Sequence, residues 1–218
     1  AALILISCRV APHIIFEDNH LLALAKPPGM LSQGDGTGDE SAFDWAREYI
    51  RHTYHKPGNV YVGLLHRIDR PVGGLLLLAK TGKAAERLSA QFAQRGVQKA
   101  YLAITERAPE PASGRLEHYL AKLPGKNIVR AYRTPAYGAQ LAQLDYAVLA
   151  TGADAAHIAR ALVRVAPITG RQHQIRVQLG SVGAVIAGDA KYGKTAFLPD
   201  KSIALWAWGL RLAHPTTQ

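Results

Sequence analysis

Apolar residues recur along this chain at two spacings, and the switches between them predict its elements. Ile14 to Ala25 alternates loosely and ends at Lys26-Pro27-Pro28-Gly29, where two prolines stop a strand and the glycine permits a sharp turn. Residues 32–40, rich in Gly, Asp and Ser, predict a loop. Ser41 followed by Asp44 has N-cap spacing, and Ala42, Trp45, Ala46, Tyr49 and Thr53 keep helical spacing up to Pro57-Gly58-Asn59. Val60 to Leu65 and Gly74 to Ala79 predict strands on either side of a turn containing His66-Arg67-Ile68-Asp69 and Pro71.

Thr81 then has the position of a helix cap. Ala84, Leu88 and Phe92 fall on one face behind it, and Gly96 suits the end. Val97 to Ile104 alternates as a strand, with Ala100, Leu102 and Ile104 as its more apolar face and Lys99, Tyr101 and Ala103 opposite. A tyrosine there is ordinarily a core residue, but a lysine two residues away on the same face points to an open groove. Residues 107–140 predict only short strands and loops. Leu144 to Leu149 and Leu162 to Val165 predict strands joined by a turn near Thr151-Gly152. Thr169 and Gln172 have capping-box spacing, so a helix is expected to begin there, its free N–H groups favouring an anion. In that helix Ile175 and Leu179 would face the core, while Gln172, His173 and Arg176 project together from another side.

Composition narrows the function classes. The 218 residues are 48% hydrophobic, enough for a real core, and 26 Lys and Arg against 16 Asp and Glu leave a net charge of +10. That imbalance suits a phosphate backbone rather than a neutral metabolite. No apolar run approaches 18 residues, and the basic residues are not gathered on one amphipathic helix, which argues against a membrane. The opening Ala1–Ile6 run is short for a secretory signal, and Cys8 is the single cysteine, so intrachain disulfides and cysteine metal clusters are excluded. A cytoplasmic protein is the expectation.

Asp69 is the leading candidate for chemistry. It lies between Arg67 and Arg70, and paired cations favour the ionised carboxylate that a nucleophile needs. Taken alone, the same residues describe a surface ion-pair turn. Nine histidines raise the alternative of a metal hydrolase. His52 and His55 have i,i+3 spacing, but His66, His118, His157, His173 and His214 show no ligand pattern, and no metal is expected.

Six segments, in order, resemble the pseudouridine synthases of the family that includes the RluA-type rRNA and tRNA enzymes. They are Lys26-Pro27-Pro28-Gly29; His66-Arg67-Ile68-Asp69 with Gly74 to Lys80; Lys99 to Ala103; Gly170 to Val177; Gly188 to Gly193; and Leu212 to Pro215. The resemblance implies a mixed α/β (α+β) fold, with a bent, largely antiparallel sheet, flanking helices and a central basic cleft. It implies that Asp69 is the nucleophile, Arg67 helps displace the target base, Tyr101 stacks on it, and Arg176 pairs with Asp69. His66, Lys26, Lys99, Arg171, His173 and Gln174 are the further residues expected to contact RNA. Val72-Gly73-Gly74 stands where the family commonly has Thr-Ser-Gly, and Gln172 replaces the usual threonine of the third motif. The few residues before Ile14 leave no room for the S4 RNA-binding domain of some relatives. One catalytic domain over 1–218 is therefore expected, as two lobes dividing near 107–140, and as a monomer. Isomerising uridine to pseudouridine oxidises nothing and loses no group, so no cofactor is called for. The competing expectation is a non-catalytic RNA-binding or RNA-folding protein on the same body.

Overall fold

The computed structural model describes residues 10–155, 157–193 and 198–217; Ala1–Ile6 and Cys8 lie outside them. In chain order its elements are β1 (His13–Glu17), β2 (Leu21–Lys26), α1 (Ala42–Thr53), β3 (Gly63–Leu64), β4 (Gly73–Ala79) and α2 (Gly82–Ala93). They continue with β5 (Gln98–Thr105), β6 (Ser113–Lys122), β7 (Val129–Tyr132), β8 (Gln140–Ala153), β9 (Ala159–Pro167), α3 (Gln174–Ser181) and β10 (Leu205–Arg211). The strands form one sheet in the order β1-β2-β4-β10-β5-β9-β8-β6-β7, with β3 also paired to β4. Every pairing is antiparallel except β10 with β4. This is the expected mixed α/β architecture with a largely antiparallel sheet. Residues 107–140 supply β6 and β7 at its far edge.

Helix α1 starts at Ser41 through a complete capping box: Ser41 Oγ accepts from the Asp44 N–H and the Asp44 carboxylate accepts from the Ser41 N–H. Its buried Ala42, Ala46 and Ile50 pack on Leu22, Leu24, Leu76 and Leu78. Helix α2, capped by Thr81, sets Leu88 against Leu21, Ala23 and Leu77. Strands β2 and β4 are thus covered on both faces, which explains the unbroken leucine run in β4. The largest core cluster lies further along the sheet, where Ala103, Val163 and Val165 meet Ile68 and Val72 of the Asp69 loop and Ile175 and Leu179 of α3.

Several expectations are corrected. Ile14 to Ala25 is a hairpin, because Asp18 Oδ1 accepts from both the His20 and Leu21 N–H groups and turns the chain. Of Val60 to Leu65, only Gly63 and Leu64 enter the sheet. Arg95, at φ 60°, rather than Gly96, takes the left-handed position after α2. Thr151 and Gly152 stay in the β8–β9 ladder, and the reversal comes later, where Asp154 N–H bonds the Ile158 carbonyl. On β5 the more apolar face is not the buried one. Ala103 is fully buried with Tyr101 packed beside it, while Ile104 is 43% exposed. Composition pointed to the leucine and isoleucine face, but the Asp69 loop and α3 cover the other side.

Candidate active site

Asp69 sits in the loop between β3 and β4, and buried backbone contacts hold that loop. Ser32 Oγ donates to the Ile68 carbonyl at 2.8 Å and accepts from the Ile68 N–H at 3.1 Å. The Gly29 N–H reaches the Arg70 carbonyl at 2.7 Å, and the Val72 N–H closes a turn on the Asp69 carbonyl at 3.0 Å. Lys26, with no exposed surface, donates from Nζ to the carbonyls of Pro27, Met30 and Arg70. Burial, with the Arg70 charge, lowers its pKa to about 7 against the opposing pull of Asp69. His66 fixes the other end of the loop, where its Nε2 accepts from the Leu77 N–H of β4 at 3.0 Å and its ring stacks on Phe92. Burial, with the nearby Lys99 charge, lowers the His66 pKa to about 4, so it is neutral.

Two adjacent glycines let the last strand dock beside this loop. A Cβ on Gly73 would lie 2.3 Å from the Trp206 ring, and one on Gly74, at φ 116°, would lie 2.3 Å from the Ala207 carbonyl oxygen. The departure from Thr-Ser-Gly at these positions therefore goes with a tryptophan on β10.

Helix α3 carries the counter-charge. It begins at Gln174, with His173 as cap residue at φ 53° and no side-chain cap bond, so the expected start near Thr169 is corrected. Thr169 Oγ1 and the Arg171 N–H instead donate to Gln174 Oε1, and Gln174 Nε2 donates to the Gln143 carbonyl, tying the turn to β8. Two residues on, Arg176 Nη1 donates to Asp69 Oδ2 at 2.9 Å. Its Nε and Nη2 form a two-pronged pair with Asp189, both at 2.7 Å. Arg176 and Asp189 side chains are 3% and 1% exposed, whereas Asp69 keeps 27%. Burial works against the Arg176 charge, but the bonds and charges of Asp189 and Asp69 outweigh it and raise its pKa. The carboxylate is open to a ligand and its cation is not.

His173 and Tyr192 complete the wall. Tyr192 Oη accepts from the Val129 N–H at 3.0 Å and lies 2.6 Å from His173 Nδ1. Burial, with Asp189 and Asp69 adding to it, raises the Tyr192 pKa to about 12, so the phenol keeps its proton. The other ring nitrogen, Nε2, lies 3.9 Å from Asp69 Oδ2. Burial lowers the His173 pKa to about 4 despite Asp69. Tyr101, opposite, is pushed up to about 12 by burial and by the Asp69 charge and stays a neutral phenol.

A family model described as RNA pseudouridylate synthase matches residues 20–181, which contain Asp69, Tyr101, His173 and Arg176. The chain belongs to the RNA pseudouridylate synthase family. It is 33% identical over 213 residues to a ribosomal large subunit pseudouridine synthase D of Nitrosomonas europaea, covering 93% of this chain and 58% of that protein. A dual-specificity RNA pseudouridine synthase RluA of Vibrio vulnificus is 31% identical, covering 93% of this chain and 78% of its own length. The ribosomal large subunit pseudouridine synthase C of Vibrio cholerae is 32% identical, over 94% of this chain and 62% of that one. The chain thus spans about three fifths of the length of several relatives it matches. Human RNA pseudouridylate synthase domain containing 1 shares the fold, with a TM-score of 0.76 at 23% identity over 94% of this chain and 80% of that one.

The structure of this pseudouridylate synthase family member brings together some of the sequence-predicted residues and separates others. Asp69, Arg176, His173 and Tyr101 converge. The flanking arginines do not pair with Asp69 as expected: Arg70 turns to Asp39 and the Gly29 carbonyl, and Arg67 is exposed. Of the residues expected to meet RNA, Lys26 bonds backbone carbonyls, Gln174 bonds Thr169, Arg171 and Gln143, and His66 accepts from the Leu77 N–H through Nε2. Lys99 Nζ lies 3.5 Å from the Thr169 carbonyl, and Arg171 is exposed with Nε on the Leu141 carbonyl. Gln172 points to Asn127 rather than beside Arg176. Asp189 and Tyr192 went unassigned in the sequence, although both lie in the Gly188–Gly193 segment. An aspartate flanked by glycine and alanine gives no local sign of its arginine partner.

Proposed function

We propose that this chain is an RNA pseudouridine synthase that isomerises uridine in rRNA or tRNA, with Asp69 as the nucleophile acting on a flipped-out nucleotide. The observation that carries this reading is the open Asp69 carboxylate held on a buried guanidinium whose other edge is clamped by Asp189. Such a carboxylate is aimed and charge-balanced without being occluded.

The reaction breaks the uridine N1–C1′ bond, turns the base, joins C5 to C1′, and transfers protons so that N1 gains one and C5 loses one. Attack of Asp69 on C1′ and removal of a ribose proton by Asp69 both begin from the same carboxylate. An ordinary glycosidase needs a second carboxyl group to protonate a departing group. Here the other nearby carboxylate, Asp189, is bound at both oxygens to Arg176. That suits an isomerase, whose leaving group stays in the site.

Extruding a stacked uridine costs a few kcal/mol. Tyr101, a neutral ring beside Asp69, is suited to stack on the base, a contact worth about 1–3 kcal/mol. Arg67, exposed two residues before Asp69, is free to enter the vacated space in the helix. Arg67→Ala is expected to slow turnover on structured RNA more than on a single strand, and full turnover on both would remove it from this role.

The deciding experiment is tritium release from RNA labelled at uridine C5, comparing the wild type with Asp69→Ala on cellular rRNA and tRNA. Release that requires Asp69 supports the synthase and shows which pool holds the target. RNA binding without release by the wild type would favour the RNA-binding reading.

A further inference from the structure

One groove on the described surface lies away from Asp69. It has a volume of about 690 Å³ and lies across the ends of β5, β9 and β10. The strand registers decide which face it occupies. Tyr101 pairs with Val165 and Ala207, and these three share the face buried toward the Asp69 loop. Leu102 pairs with Arg164 and Trp206, and Ala100 pairs with Gly209, on the reverse face. Because side chains alternate across a strand, Gln98, Ala166 and Arg211 point to that reverse face as well.

The groove exists because its floor is made of small residues. Ala100 and Ala166 line it, and at Gly209 an added Cβ would meet nothing within 4 Å. Its walls carry Arg95, Arg164 and Arg211, all exposed, none of them in an ion pair among the described residues. The one carboxylate in the lining, Asp145, is already held at both oxygens by Arg115, at 2.7 and 2.9 Å. Trp206, 42% exposed, stands in the same cross-strand row as Arg164. Unpaired arginines over a bare sheet with an aromatic beside them match what single-stranded nucleic acid needs: cations for its phosphates and a ring for a base.

We propose that this reverse-face groove binds the backbone of a single-stranded RNA segment flanking the target, a second RNA contact separate from the Asp69 site. The proposal rests on the synthase reading for the identity of the polymer, and charge complementarity selects RNA over a protein partner. Lys99 also lines the groove, although it alternates onto the Tyr101 face of β5, so the two faces meet at this end of the strand.

The test uses the full chain and two RNAs, a uridine-containing stem-loop with and without a ten-nucleotide single-stranded tail. Affinity is measured by fluorescence anisotropy from low to high salt, and conversion by tritium release. The tail is expected to tighten wild-type binding at least about tenfold, and combined Arg95→Ala, Arg164→Ala and Arg211→Ala to abolish that gain. The salt slope should fall by about 2, at about 0.7 for each lost phosphate contact. Binding and conversion of the tailless stem-loop should not change, and the three Arg→Lys substitutions should keep most of the gain. A tail without effect on the wild type, or a triple alanine variant that keeps both gain and slope, would overturn the proposal and leave the groove to a protein partner. Asp69→Ala should retain the tail gain while losing conversion. A wild type that gains affinity from the tail yet converts nothing would therefore sink the enzyme reading and not the groove.

Discussion

Asp189→Asn tests the architecture of the site without altering Asp69, the proposed nucleophile. The substitution keeps the shape of the side chain but removes its charge and replaces one acceptor oxygen by an amide NH2, a donor that faces a guanidinium N–H. Arg176, 3% exposed, would lose one of two 2.7 Å bonds and the larger part of its charge compensation. Breaking a buried ion pair typically costs about 3–5 kcal/mol, and here the surviving bond to Asp69 places the effect near about 3 kcal/mol. With only Asp69 to hold it, the guanidinium pulls that carboxylate toward itself. A displacement of the reacting group by about 1 Å can cost about 100-fold in rate. The assay pairs urea unfolding with single-turnover tritium release and RNA affinity. The midpoint should fall and the rate should drop, while RNA affinity holds because Asp189 has almost no surface. A variant with an unchanged midpoint and an unchanged rate would show that Arg176 does not need its second carboxylate.

Three further outcomes are expected. Gly73→Ala should destabilise the protein by about 1–3 kcal/mol through overpacking against the Trp206 ring, and Trp206→Leu in the same chain should recover part of that loss in a double-mutant cycle. Stability should fall as pH is lowered from about 6.5 to about 4, because His66 and His173 have folded pKa values of about 4 against 6.5 when free. In that window the unfolded chain binds more protons, at about 1.4 kcal/mol per pH unit for each histidine, so His66→Gln should flatten the slope of the urea midpoint against pH. Arg176→Lys should lose conversion and retain RNA binding, since an ammonium cannot bridge Asp69 and the two oxygens of Asp189 together; substantial conversion would show that charge alone suffices.

Local chemistry made much of the chain legible. Ser41 and Asp44 are three residues apart and cap α1 by themselves, and of the residues at helical spacing Ala42 and Ala46 are buried, with Ile50 completing the packed face. The order of the motifs named the family before any contact was known, and Asp69 and Arg176 were paired by that resemblance, not by their spacing. Where the reading failed, the missing information was distant in the chain. The flanking arginines of Asp69 were the obvious partners by proximity, yet a loop pinned by Ser32 and Lys26 turns Arg70 outward to Asp39. Thr169 and Gln172 had the spacing of a cap, but Gln174 captured the threonine because Gln143 on β8 held its other end.

The sequence by itself determined the elements with local caps and turns, the basic character of the protein, and the family to which it belongs. Those depend on residues within a few positions of one another, or on composition summed over the chain. Tertiary structure alone decided which face of β5 is buried, that the neighbouring Arg67 and Arg70 do not pair with Asp69, and where the free arginines gather. Asp69 and Arg176 are 107 positions apart and Arg176 and Asp189 are 13. Arg95, Arg164 and Arg211 come from three separate segments, aligned only because β10 inserts between β4 and β5 and brings Arg211 opposite Gln98. A side chain's partners are set by what the fold places against it, and neither hydrophobic period nor motif spacing encodes that neighbour.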